Sequence, residues 1–290
     1  MKLTGMNKNI LALMLPLFLA LSVHAQEAAA KKFTIYVFLP WKVQTPDGKI
    51  DRSIKLTDYV VQFGLKPVKV IYEAAYLTNG KVDHEKIKAI AEATQAEPDS
   101  IVSFDTEFGK RFYPQTVIPE VLEILHSYRG EHPKAKVGVY ATAPQNTYGW
   151  KSGIESYDGL NAKYKVVAEA VDFLSPVLYN YNRDDLDAWM KAATYNVNAA
   201  KRYGTNKPII PYINPGYGTP TADGNGSNPV IQFSEKEMTI RLQKLYDLGA
   251  SGCIVWGSSG DRDANGKQPV FDASTGWAKA LVGFAQTHGQ

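Results

Sequence analysis

Short apolar runs recur along this chain, separated by longer stretches with apolar positions at helical spacing. Seven runs predict strands, at 33–39, 68–72, 100–104, 136–140, 172–178, 208–213 and 252–256. Most are continuously apolar, the pattern of parallel strands covered on both faces. The stretches 84–97, 115–130, 184–203 and 234–248 predict helices. Pro114, Pro119 and Asp184 fit helix starts, and Gly130, Gly204 and Gly249 fit helix ends. Seven strands with helical crossovers, and no run of hairpins, predict an α/β fold: a single parallel β/α barrel, seven-stranded and so distorted from the eight-stranded type. An open doubly wound sheet is the main competitor. It usually carries a glycine-rich phosphate loop after its first strand, and the 40–48 loop here has no G-x-G-x-x-G. The segment 214–229, rich in Gly, Asn and Pro, reads as a mobile surface loop beside the barrel mouth.

The N-terminus changes the picture of where the barrel works. Lys2 and Lys8 precede an apolar run of about 12 residues, and Val23 and Ala25 are small enough for signal peptidase. The run falls short of the ~20 residues of a spanning helix. A signal peptide at 1–25 is expected, with the barrel at 26–290, giving a secreted or periplasmic protein without a membrane anchor. Lys+Arg is 32 against Asp+Glu 29; without Lys2 and Lys8 the balance is 30 against 29. Nothing this near neutral argues for a nucleic-acid partner. Cys253 is the only cysteine, which excludes an internal disulfide, and its apolar strand reads as a site for an inert buried thiol. A monomer without cofactor is expected. His84, His126, His132 and His288 have no metal-ligand spacing, and Ser258 and Ser259 lie in no G-x-S-x-G elbow.

In a β/α barrel the chemistry lies at the C-terminal strand ends. Those ends offer Trp41, Glu73, Asp105 and Glu107, Tyr140, the run Tyr179-Asn180-Tyr181-Asn182, Asn214 with Tyr217, and Trp256 with Ser258 and Ser259. Carboxylates, aromatic rings and amides around one mouth suit a sugar: rings stack on the apolar faces of pyranoses, and amides and carboxylates take the hydroxyls. The sharpest local signal is Asp105-Thr106-Glu107. Two residues apart on an extended chain, both acids point to one side, roughly 6–7 Å between Cα atoms. In a low-dielectric mouth, ionising one opposes ionising the other, so one stays protonated near neutral pH, as a general acid for a glycosidic oxygen requires. The bland alternative is a polar strand end capping the next helix. A retaining enzyme with two carboxylates needs a nucleophile opposite the acid. Outside strand three, Glu73 is the one acid immediately at a strand end. That scarcity favours substrate assistance, in which a 2-acetamido oxygen of the sugar attacks the anomeric carbon, Asp105 orients the acetamido N–H, and Tyr179 or Tyr140 holds the group. Glu73 as covalent nucleophile stays open beside it.

Taken together, the motifs resemble the hyaluronidases, glycoside hydrolase family 56, in divergent form. Trp41-Lys-Val-Gln-Thr45 resembles that family's W-N-V-P-T, and Asp105-Thr-Glu107 its D-W-E. Gly138-Val-Tyr140, Ser175-Pro-Val-Leu-Tyr179 and Pro208-Ile-Ile-Pro-Tyr212 resemble G-Y-Y, P-S-I-Y and P-V-F-V-Y. The segment 249–258 is similar to G-A-S-G-I-V-I-W-G-S, the most specific piece. The likeness spans about 33–260 and implies a seven-stranded β/α barrel. It implies Glu107 as acid/base, Asp105 as acetamido partner, and Tyr140 and Tyr179 as positioning groups. Trp256 would be a wall of the sugar pocket; Trp41, Tyr181, Tyr212 and Asn214 complete the expected substrate-binding set. The family's barrel disulfides are absent, and Thr106 stands where it has Trp. The near-neutral charge gives no basic groove for polyanionic hyaluronan, so the glycan is left open. Chitinase-like family 18 enzymes use D-x-x-D-x-D-x-E, but Ser100 and Ser103 occupy its two upstream acid positions. A non-enzymatic exported glycan-binding barrel is the alternative from another class.

Overall fold

The computed structural model describes residues 31–97, 100–218 and 229–289. The signal segment read at 1–25, and much of the 214–229 loop, lie outside the described residues. Six parallel strands form one sheet: β1 (Thr34–Phe38), β2 (Lys66–Ile71), β3 (Ile101–Phe104), β4 (Lys136–Val139), β5 (Tyr212–Ile213) and β6 (Gly252–Trp256). Their order is β4-β3-β2-β1-β6-β5.

The seventh expected strand is not a regular one. Segment 172–178 makes two isolated parallel bridges, Leu174 with Ile209 and Val177 with Tyr212. Pro176 lies between them, has no N–H to give a ladder, and interrupts the pairing. On its other side the segment touches β4 through Asp172. Its N–H donates to the Val137 carbonyl (2.7 Å), and its Oδ2 accepts from the Val137 N–H (2.8 Å). The segment thus joins the two outer strands, and the architecture is a parallel β/α barrel with six regular strands rather than seven.

Alternation along each strand sorts the side chains into two cores. Ile35 and Val37, Val102 and Phe104, Val137 and Val139, and Cys253 and Val255 point outward and pack under the helices. Tyr36 and Phe38, Val68 and Val70, Ile101, Phe173, Ile210, Tyr212, Ile254 and Trp256 form a second cluster inside the barrel. Gly138 falls on the inner phase of β4, where a Cβ would lie 2.5 Å from the Phe173 ring. Glycine there lets Phe173 fill the interior. Cys253 is buried with its thiol pushed up by desolvation, an inert core residue.

The longer outer helices are His84–Gln95, Ile118–Glu131, Leu186–Arg202, Glu235–Asp247 and Gly276–His288. Asp83, Asp185 and Ser234 cap three of them through N–H groups at Lys86, Ala188 and Glu237; Ser234 and Glu237 form a reciprocal capping box. The Leu186 helix therefore starts one residue later than Asp184 suggests. Gly204 and Gly249 follow their helices with φ of 67° and 83°, whereas Gly130 stays inside its helix. Among the described residues no helix is long and apolar enough to cross a membrane.

Candidate active site

Inner-phase alternation carries past the strand ends and delivers side chains to the C-terminal mouth. Ser103 faces the interior, so Asp105, two residues on, faces it as well. Thr106 turns the other way and is buried, its hydroxyl 2.8 Å from that of Thr142. The Asp105 N–H donates to the Ile71 carbonyl (2.8 Å), and the Tyr76 hydroxyl donates to the Asp105 carbonyl. The backbone is fixed on both sides while the carboxylate stays free. Asp105 Oδ1 is buried with no hydrogen-bond partner. Burial, then the neighbouring Glu107 and Glu73 carboxylates, push the Asp105 pKa up to about 7 against the opposing pull of Arg111.

Glu107 reaches the surface. Its side chain is 57% exposed and pairs with Arg111 at 3.3 Å, while Arg111 is 16% exposed. The Arg111 carbonyl accepts the Tyr164 hydroxyl (2.9 Å), and its guanidinium lies 5.7 Å from the Tyr148 ring centroid. Arg111 NH1 is buried and unpartnered. Glu73 opens a short 3-10 turn after β2, half-buried, with Oε1 buried and unpartnered. The acid side of the mouth thus holds three carboxylates and one half-buried cation.

The aromatic side is continuous with it. Tyr179 stacks on Trp256 (centroids 5.5 Å, 23° between planes), and Tyr140 lies 6.1 Å from Tyr179. Tyr212 is buried beneath, edge-on to Tyr140 at 5.0 Å. Trp256 Nε1 donates to the Tyr72 hydroxyl (3.1 Å). Desolvation pushes the Tyr140, Tyr179 and Tyr212 hydroxyls well above the ordinary phenol range, so all three remain neutral groups able to donate a hydrogen bond.

Tyr181 divides two clefts. Its hydroxyl accepts from Asn146 Nδ2 (2.7 Å) and its ring meets Tyr148 at 5.4 Å. On one side Glu107, Arg111, Phe112, Asn146 and Tyr148 line a cleft of about 400 Å³. On the other, Tyr179, Asn180, Asn214, Tyr217, Ser258 and Asp261 line one of about 430 Å³. The Asn180 amide is held by Arg241, whose Nε and NH2 both donate to Asn180 Oδ1 (3.3 Å). Arg241 is buried against the Phe233 ring at 3.8 Å, and desolvation lowers its pKa to about 10. Asp261 accepts the Ser258 N–H (2.7 Å) and its carboxyl is raised by burial.

Asp105, Glu107, Tyr140, Tyr179, Tyr181, Asn214 and Trp256 are thus gathered at one mouth. Trp41 is not: it is 5% exposed, edge-on to Trp277, and donates Nε1 to the Ser258 carbonyl (3.0 Å). It braces the strand-six end from below and offers no face to a ligand. Tyr212 likewise reaches the site only as a buried layer under Tyr140. Sequence reading passed over Arg111, Asn146 and Asp261. Arg111 follows Glu107 by four residues, a recognisable spacing; Asn146 and Asp261 lie on loops that carry no such pattern. Among the described residues no group of three His, Cys, Asp or Glu could hold a metal ion.

No family model matches the chain, and no curated protein matches it. Solved structures do. Bee venom hyaluronidase in complex with a hyaluronic acid tetramer is 17% identical with a TM-score of 0.54, over 79% of this chain and 91% of that one. A second crystal form of bee venom hyaluronidase gives 17% and 0.53, over 88% and 96%. The endo-1,4-β-D-mannanase from Thermotoga petrophila RKU-1 gives 16% and 0.50, over 88% and 91%. The β/α-barrel fold is shared with these enzymes across most of both chains.

Proposed function

We propose that this chain is a retaining glycoside hydrolase acting on a glycan that contains 2-acetamido sugars, with Glu107 as general acid/base and Asp105 as the partner of the acetamido group. One observation carries the reading: two carboxylates two residues apart at the C-terminal mouth, one half-buried with its Oδ1 unpartnered, the other open to solvent, beside the stacked Tyr179–Trp256 wall. The shared fold of a hyaluronidase and a mannanase supports it.

In the reaction the pair works with one proton between them. The acetamido carbonyl oxygen attacks the anomeric carbon as the glycosidic C–O bond breaks, and Glu107 gives its proton to the departing oxygen. Asp105, now ionised, faces the N–H of the cyclic oxazolinium, which gains positive charge in the transition state. Tyr140 and Tyr179 supply neutral hydroxyls to hold the group. Water then attacks the anomeric carbon, Glu107 takes its proton, and the configuration is retained. For this, the proton that Asp105 holds at rest must pass to Glu107, and the Glu107–Arg111 ion pair must open, as the sugar enters.

General acid–base catalysis supplies typically ~10²–10⁴-fold in rate. On a panel of 2-acetamido glycans, Glu107→Gln should lose about that much and still bind. Activity within a factor of two of the parent rejects the mechanism. The exposure of Glu107 and its pairing with Arg111 favour one other reading, a glycan-binding barrel without catalysis; equal binding with no turnover in either protein selects it. Covalent attack by Glu73 would instead trap a 2-fluoro-glycosyl adduct on that residue. The enzyme works as an exported monomer on its glycan, and an intact mass beginning near Gln26 tests the export.

A further inference from the structure

The largest of the cavities described is not at the C-terminal mouth. It lies at the N-terminal end of the barrel, with a volume of about 590 Å³, against about 430 and 400 Å³ for the two clefts beside Tyr181. Its origin is the break in the sheet between β4 and segment 172–178. There a single residue, Asp172, stands where a ladder of hydrogen bonds would otherwise close the wall. The lowest inner-phase side chains, Ile101, Phe173 and Ile210, form its apolar ceiling, and all three are buried.

The rim is cationic. Lys32, Lys134 and Lys136 are exposed around the opening. Among the described residues none of the three forms an ion pair. The one carboxylate in the lining, Asp172, is already taken by Arg129 (2.8 Å) and by the Val137 N–H. Thr34, Tyr36 and Ser251 add polar groups to the walls. Ligand pockets typically enclose ~300–1,000 Å³, are mostly apolar, and orient the ligand with a few polar groups. This cavity has that size, with an apolar ceiling, polar walls and uncompensated positive charge at its entrance.

We propose that the N-terminal end of the barrel is a second binding site, for a small organic anion whose ring-sized apolar body rests under Phe173 and Ile210 and whose carboxylate or phosphate meets Lys32, Lys134 and Lys136. Barrel chemistry resides at the opposite, C-terminal end, so this site binds without turning over, and its existence does not depend on the activity proposed above.

The test uses 2-naphthoate as the probe, with the uncharged 2-naphthalenemethanol as its counterpart, titrated into the isolated protein by calorimetry and by NMR. The naphthoate should bind saturably and more weakly as salt rises, and the alcohol several-fold less tightly. Exposed ion pairs are individually small, so the combined variant Lys32→Gln, Lys134→Gln, Lys136→Gln should weaken naphthoate binding roughly tenfold. Lys151→Gln, at the other end beside Tyr148, should leave it unchanged. Absence of saturable binding, equal binding of acid and alcohol, or full affinity in a folded triple variant would each overturn the proposal. Should the triple variant fail to fold, the salt dependence and the acid–alcohol comparison on the parent protein still decide it. An inert anion site and an inactive catalytic mouth are separable, because glycan turnover is measured on the same samples.

Discussion

Replacing Asp105 by asparagine should lower kcat and yet make the protein more stable at alkaline pH. The Asp105 carboxyl titrates near 7 in the folded chain, against an ordinary value of 3.8. A raised carboxylate pKa means that the folded state holds its proton more tightly than the unfolded state does. Stability is therefore highest below the ordinary value, falls as pH rises from about 4 to about 7, and stays low above that. About three pKa units at 1.36 kcal/mol each set a ceiling of about 4 kcal/mol. The site opens to solvent, and screening there brings the expectation down to about 1–3 kcal/mol. Asparagine keeps the shape and removes the charge. Urea unfolding at about pH 8.5 should thus show Asp105→Asn more stable by that amount, and the gap should close near pH 4, where the parent carboxyl is itself neutral. A variant equally or less stable at alkaline pH, or a difference independent of pH, would refute the argument that burial and the two acids load this carboxylate. The same samples should show kcat reduced with little change in glycan binding.

Arg111 lowers the Asp105 pKa, so Arg111→Gln should move the alkaline limb of the kcat/KM profile to higher pH; an unmoved limb would separate the guanidinium from the proton shared by the pair. Gly138→Ala drives a methyl into the Phe173 ring and should cost about 1–3 kcal/mol by denaturant unfolding, part of it recovered by adding Phe173→Leu. Additivity of those two substitutions would show that the two side chains do not meet.

Much of the barrel could be read before any coordinates, because a strand buried on both faces leaves an apolar run that a loop does not. The runs around Val37, Val102, Val137 and Val255 each became a strand of the sheet. Segment 172–178 has the same composition, but Pro176 withholds a donor where the ladder needs one, and a count of apolar runs does not register that. The helix Gly276–His288 was passed over, although Trp277, Leu281 and Phe284 recur on one face, since Gly276 and Gly283 weaken its propensity. At the site, Asp105, Tyr140 and Trp256 could be put at the mouth because each stands at the C-terminal end of an apolar run. Trp41 was misplaced because the chain turns after β1 and carries its ring under Gly257, a packing set by residues more than 200 positions away. Arg111 and Asp261 gain their meaning from what folds against them.

Asp172 gives the barrel an uneven mechanical character. Between the regular strands the wall is stitched by ladders, and segment 172–178 meets the 208–213 run at two bridges, whereas its link to β4 is one residue, whose backbone N–H and carboxylate hold both polar groups of Val137, with Arg129 as a brace. The cylinder therefore resembles a bracelet with a clasp more than a seamless hoop. Tyr140 and Tyr179 stand on opposite sides of that clasp at the far rim. Val137 and Asp172 thus lie at the foot of the two segments whose upper ends carry Tyr140 and Tyr179, so the one-residue clasp and the aromatic wall belong to the same seam of the barrel.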